Sequence, residues 1–113
     1  MAVIKQILVP VSNITAALDF YSRTFGFSVK FRDGDRYAAL DGGGVTLALT
    51  AQEESLAEGV TFSVITDDVA AFIEAGRSQG LTVLSGVAEG PHEKRAVVGD
   101  TDGNPVVVYS KTV

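Results

Sequence analysis

β-branched and apolar residues fill Ile4 to Val11, and the run stops at Ser12-Asn13. This reads as a buried strand followed by a helix cap, with Asn13 as the capping residue. The period then changes: Ile14, Ala17, Leu18, Tyr21 and Phe25 recur at helical spacing, while Asp19 and Arg23 lie four apart on the other side. Gly26 is placed to stop that helix. Phe27, Val29 and Phe31 next alternate with Ser28, Lys30 and Arg32, which predicts a strand with one wet face. Asp33-Gly34-Asp35 makes a turn, Arg36 to Asp41 a third strand, Gly42-Gly43-Gly44 a second turn and Val45 to Thr50 a fourth strand. Ala51 to Gly59 holds three glutamates and little apolar content, so it reads as a linker.

The same order follows again. Val60 to Thr66 reads as a strand, Asp67-Asp68 as a cap, and Val69, Phe72, Ile73 and Gly76 as a helical stripe ended by Gly80. Leu81 to Leu84 opens a strand, Ala88 to Glu93 is a loop, Arg95 to Gly99 a strand, Asp100 to Asn104 a turn, and Val106 to Ser110 the last strand. Ser12-Asn13-Ile14 matches Asp67-Asp68-Val69, Gly26-Phe27-Ser28-Val29 matches Gly80-Leu81-Thr82-Val83, and Asp41 to Gly44 matches Asp100 to Gly103. Matches in one shared order predict an internal repeat of about half the chain.

Composition narrows the chemistry. A chain of 113 residues, 46% hydrophobic and 20% charged, suits one compact domain. Cysteine is absent, which removes disulfides and thiolate metal sites. Histidine occurs once, at His92, so a zinc site built from several histidines is excluded within one chain. A net charge of -5 disfavours nucleic acid as a partner. No apolar stretch is long enough to span a bilayer, and the first residues lack the order of a signal peptide. The expectation is a cytoplasmic protein without a membrane partner.

Four segments together resemble a known family: Leu8 to Asn13, Ala17-Leu18-Asp19-Phe20-Tyr21, Phe25-Gly26-Phe27, and Asp100 to Pro105. In this order and spacing they look like the vicinal oxygen chelate superfamily of glyoxalases, bleomycin-resistance proteins and dioxygenases. The resemblance covers the whole chain. It implies an α+β fold of two βαβββ modules, whose curved mixed sheets enclose a cavity and carry their helices on the convex side. Residues 1–51 would form the first module, 52–59 the linker and 60–113 the second. Alternation then puts Ile7, Val9, Val11, Leu47 and Leu49 on the helix side of the first module. Phe62, Val64, Val106 and Val108 take the corresponding side of the second.

Metal-dependent members of that family hold a divalent ion on the cavity side of the first and fourth strands of each module. Those positions fall here on Gln6, Ala48, Thr61 (Val60 if the register slips by one) and Val107. One amide and one hydroxyl cannot offset the desolvation of a divalent ion, and His92 lies in a loop away from them. No metal and no other cofactor is therefore expected, nor any catalytic residue. Gly42-Gly43-Gly44 lacks the following lysine of a phosphate loop, and no serine sits in a nucleophile elbow.

The cavity implied by the resemblance would be lined by Gln6, Leu8, Tyr37, Ala39, Ala48, Thr50, Thr61, Ser63, Val107 and Tyr109. Small residues such as Ala48 and Ser63 would leave room in it. Its mixture of aromatic, apolar and hydroxyl groups is that of a small-molecule pocket. Metal-free members resemble the bleomycin-resistance proteins, which sequester an antibiotic. The reading is a metal-free binding protein for an antibiotic or aromatic metabolite, the ligand being aromatic or cationic, working as a homodimer. The alternative is a metal-dependent lyase, isomerase or dioxygenase of the same superfamily.

Overall fold

The computed structural model describes residues 2–112. The outermost residues of the expected modules, Met1 and Val113, lie outside them. The elements run β1 (Val3–Val11), α1 (Ile14–Phe25), β2 (Ser28–Asp33), β3 (Tyr37–Asp41), β4 (Thr46–Ala51), a short 3-10 turn (Gln52–Glu54), β5 (Thr61–Ile65), α2 (Val69–Ser78), β6 (Thr82–Glu89), β7 (Glu93–Gly99) and β8 (Pro105–Lys111). The chain divides into two compact units, Gln6–Thr61 and the remainder. Each contributes a βαβββ order, so the α+β class and the repeat expected from the sequence are both present.

In the first unit the strand order is β2-β3-β4-β1, with β1 parallel to β4 and the other pairs antiparallel. In the second it is β5-β8-β7-β6, with β5 parallel to β8. A parallel pair needs a crossover, and the intervening helix and hairpins supply it. Each helix lies on one face of its own sheet. Ile14 and Leu18 pack on Ala38, Leu40 and Leu49, with Val9, Val11 and Leu47 at the border. Val69 and Ile73 pack on Ala96, Val98 and Val108. Leu40, Leu49, Val69 and Val108 are the largest fully buried side chains. Truncating such a leucine to alanine costs about 3 kcal/mol.

The caps match the sequence reading. The Asn13 side chain accepts the Ala16 N–H at 2.9 Å, and Asp68 accepts the Ala71 N–H at 3.1 Å. Gly26 closes α1 with φ of 74°, a left-handed conformation that glycine adopts without a Cβ clash. The Asp19–Arg23 pair forms one turn apart on the surface. Phe72, placed in the helical stripe by spacing, is 38% exposed, because Val69 and Ile73 alone occupy the narrow contact with the sheet.

Two strand readings need correction. β2 does not have one wet and one covered face: every residue in it is exposed, including Val29 and Phe31. It is the terminal strand of its unit, and its pairing with β3 shifts between Val29 and Phe31. The expected loop from Ala88 to Glu93 is shorter, since Ala88 and Glu89 belong to β6 and Glu93 opens β7. Irregular pairing at Ser85 and before Ala88 masks the period of β6. No helix among the described residues is long and apolar enough to cross a membrane.

The β7–β8 hairpin is held by one carboxylate. Asp100 accepts the backbone N–H groups of Asp102 at 2.9 Å and Asn104 at 2.8 Å, and the Asn104 side-chain amide at 2.9 Å. The Asn104 amide first, then these backbone donors, hold the carboxyl below its ordinary value. In the unfolded chain the group takes up a proton near 3.8, whereas the folded one resists. Its contribution is therefore complete above that pH and is lost as pH falls through the lowered native pKa. The melting midpoint of Asp100→Ala should lie below wild type at neutral pH and converge on it as the solution is acidified below 3.8. A gap that persists unchanged at low pH would contradict the assignment.

Candidate functional site

With a helix covering one face of each sheet, strand alternation commits the remaining side chains to the opposite, open face. In the first unit Gln6 and Leu8 on β1 lie opposite Thr46 and Ala48 on β4, and Pro10 lies opposite Thr50. Tyr37 and Ala39 on β3 pair with Thr50 and Ala48. All six predicted residues of this unit's strands, Gln6, Leu8, Tyr37, Ala39, Ala48 and Thr50, thus share its open face. The Gln6 amide nitrogen donates to the Tyr37 hydroxyl at 2.8 Å, tying β1 to β3 across β4.

In the second unit Ser63 lies opposite Val107, and Ile65 opposite Tyr109. Val108 faces α2, so Ser63, Val107 and Tyr109 face away from it. Thr61, two positions before Ser63 along β5, has the same side by alternation, whereas Val60 lies outside the strand and is 65% exposed.

The faces are as expected, but the room is not where the small residues suggested. Ala48 is 0% exposed, Val107 2% and Ser63 3%. These residues form closed floors. Gln6, Leu8, Tyr37, Thr50 and Tyr109 are half-buried and present surface on the open faces. Two hydroxyls within the set, Thr50 Oγ1 and Ser63 Oγ, are buried with no hydrogen-bond partner among the described residues. A third orphan, Thr66 Oγ1, lies just past the end of β5.

The sequence reading missed Phe31. Alternation from Phe27 and Val29 assigns it to the helix side. The register pairs Val29 with Leu40 but Phe31 with Ala39, so Lys30 is the extra residue of a β-bulge. The bulge turns Phe31 onto the open face beside Tyr37, with ring centroids 6.1 Å apart and planes tilted by 51°. It also sends Arg32 to the helix side, where its guanidinium donates to the Thr15 hydroxyl at 2.8 Å. Lys30 itself reaches Thr46 Oγ1 at 2.7 Å. No local sequence feature announces this bulge.

A recess of about 550 Å³ adjoins this unit, lined by Pro10 and by Gln52, Ser55, Leu56, Ala57, Glu58 and Gly59. The segment expected as a plain linker therefore forms one wall of a concavity beside the Pro10–Thr50 end of the open face. His92, set apart by sequence, lies in the β6–β7 hairpin. Its carbonyl accepts the Thr112 N–H at 3.2 Å.

The donors do not fit a divalent metal. Of the positions to which the resemblance points, Ala48 and Val107 offer hydrocarbon, Thr61 a neutral hydroxyl and Gln6 a single neutral amide oxygen. Divalent cations are held by several anionic or imidazole groups. Among the described residues no cluster of three or more His, Cys, Asp or Glu stands ready to supply them.

Comparison with known proteins agrees with the fold. A model of the glyoxalase/bleomycin resistance protein/dioxygenase superfamily matches residues 3–108. A protein of Mycolicibacterium smegmatis, itself uncharacterized, is 41% identical over 108 residues, which is 95% of this chain and 92% of that protein. A superfamily member from Vibrio splendidus superposes with a TM-score of 0.77 at 18% identity, covering 99% of this chain and 100% of that one. Methylmalonyl-CoA epimerase from Mycobacterium tuberculosis superposes with a TM-score of 0.69 at 16% identity, covering 97% and 88%. At such identities the structures speak for the shared fold alone. The match along nearly the whole chain, joined to the paired βαβββ order, makes this protein a member of the glyoxalase/bleomycin resistance protein/dioxygenase superfamily.

Proposed function

We propose that the protein is a metal-free binder of small planar molecules, sequestering an aromatic metabolite or an antibiotic rather than transforming it. The observation that carries this reading is the donor set on the open faces: Ala48 and Val107 stand where metal-dependent relatives need ligands, and Gln6 and Thr61 supply only neutral oxygens. The superfamily uses its ion as a Lewis acid, and no charged group among these residues replaces it. What the first open face does offer is aromatic and apolar area, from Phe31, Tyr37 and Leu8. Flat rings stack on such side chains. We also propose that the protein acts as a homodimer, a reading supported by the terminal strands β2 and β6, which end the two units' sheets and bear exposed Val29, Leu84 and Val87.

Elemental analysis of dialysed protein should find no stoichiometric divalent metal, and added zinc, nickel or manganese should leave the melting midpoint unchanged. Planar aromatic compounds should raise it, because a ligand that binds only the folded state stabilises that state. A retained metal, or a midpoint raised by one, would favour a metal-dependent lyase, isomerase or dioxygenase instead.

The two orphan hydroxyls give a second check. Each gives up hydration without gaining a bond, so Thr50→Val and Ser63→Ala should each stabilise the free protein by about 1 kcal/mol in denaturant unfolding. Destabilisation by either change would mean that the hydroxyl already serves the fold.

A further inference from the structure

We infer that the second unit's open face carries an acid-recognition site in which Arg95 receives a carboxylate of the bound molecule. The inference rests on the small-molecule reading above and supplies its ligand class. Arg95 lies on β7 directly across from Tyr109 on β8 and from Ala88 on β6. Its neighbours along β7, Ala96 and Val98, belong to the core under α2. Alternation therefore puts Arg95 and Val97 on the open face with Tyr109, Val107 and Ser63.

Arg95 is half-buried, and among the described residues it makes no ion pair. The other charges nearest on this face are Glu93 and Lys111, which stand opposite one another in the next row. They balance, so Arg95 is a local excess of one positive charge on a chain whose net charge is -5. An arginine whose stem is held on the sheet and whose guanidinium has no anion is free to take one from a ligand.

Its position is also prepared. Gly90, at the end of β6, does not have a positive φ, so the backbone there does not call for glycine. What Gly90 provides is space: a Cβ built on it would lie 2.8 Å from Arg95 Nη1. The hairpin thus makes room for the guanidinium, and Glu93 shares the hairpin without its carboxylate reaching ion-pair distance. One planar fork with a single charge suits a planar monoanion, which it can grip through two parallel N–H···O bonds. A phosphate dianion would call for a second cation beside it, and Lys111 stands a row away, opposite Glu93 and not Arg95. The overall acidity favours cationic ligands only as a distant field, whereas Arg95 acts at contact range.

The test compares 2-naphthoate, 2-naphthamide, 2-naphthylmethylamine and 2-naphthyl phosphate by calorimetry and thermal shift on the intact protein. The carboxylate should bind best. Arg95→Gln should weaken it roughly ten- to a hundredfold while leaving the amide unchanged. Arg95→Lys, which keeps the charge without the fork, should recover part of that loss. Gly90→Ala should weaken the carboxylate by a smaller factor, through displacement of the guanidinium. Lys94→Gln, on the helix-covered side of the same strand, should have no effect. Equal or tighter binding of the amide, the amine or the phosphate overturns the inference and leaves the binding reading standing. Binding of the carboxylate unaffected by Arg95→Gln in a folded variant does the same. If none of the four compounds binds, the inference falls together with the proposal of an aromatic ligand.

Discussion

Everything functional in this molecule depends on the packing of one helix against one face of each four-stranded sheet. α1 buries Ile14 and Leu18 on Leu40 and Leu49, and α2 buries Val69 and Ile73 on Val98 and Val108. Because successive strand residues point to opposite sides, covering one face decides the fate of the other. A residue is then core or open face by parity alone. Gln6 and Tyr37 in the first unit, and Ser63 and Tyr109 in the second, are thus assigned to their open faces by where the helices sit.

That parity made much of the structure legible. The caps at Asn13 and Asp68, the helix stop at Gly26 and the acidic turn at Asp100 are local devices, each readable from a few adjacent residues. The helix-side assignments of Val9, Val11, Leu47 and Leu49 followed from period two over regular strands. The reading failed where a strand stops being regular. A bulge is a relation between two strands, so the segment around Lys30 or Ser85 carries no sign of it by itself. Phe31 and Arg32 consequently exchanged faces, and β6 was cut short. Arg95 was legible as a strand residue, but its importance depends on Tyr109 across the ladder and Gly90 in the hairpin, neither of which the local pattern links to it.

Within the superfamily the fold constrains chemistry less than the residues placed on it. The same scaffold supports metal catalysis when its inward strand positions bear imidazole and carboxylate groups. In this chain those positions bear Ala48 and Val107, with the neutral oxygens of Thr61 and Gln6. The open faces bear small closed floors, the exposed Phe31 and the half-buried Tyr37 and Tyr109 instead. The segment from Gln52 to Gly59 adds a concavity at one end of this surface, so a stretch that reads as polar and featureless still contributes shape.

The irregularity at Lys30 has a bearing on how such a surface can change over generations. Because Lys30 is supernumerary in the ladder, losing it would leave Val29 opposite Leu40 and Phe31 opposite Ala39, with only the tether to Thr46 forfeited. Loss or gain of a residue elsewhere in the strand would invert everything beyond it. The edge of this sheet therefore holds one position where chain length can drift while the aromatic wall stays in place.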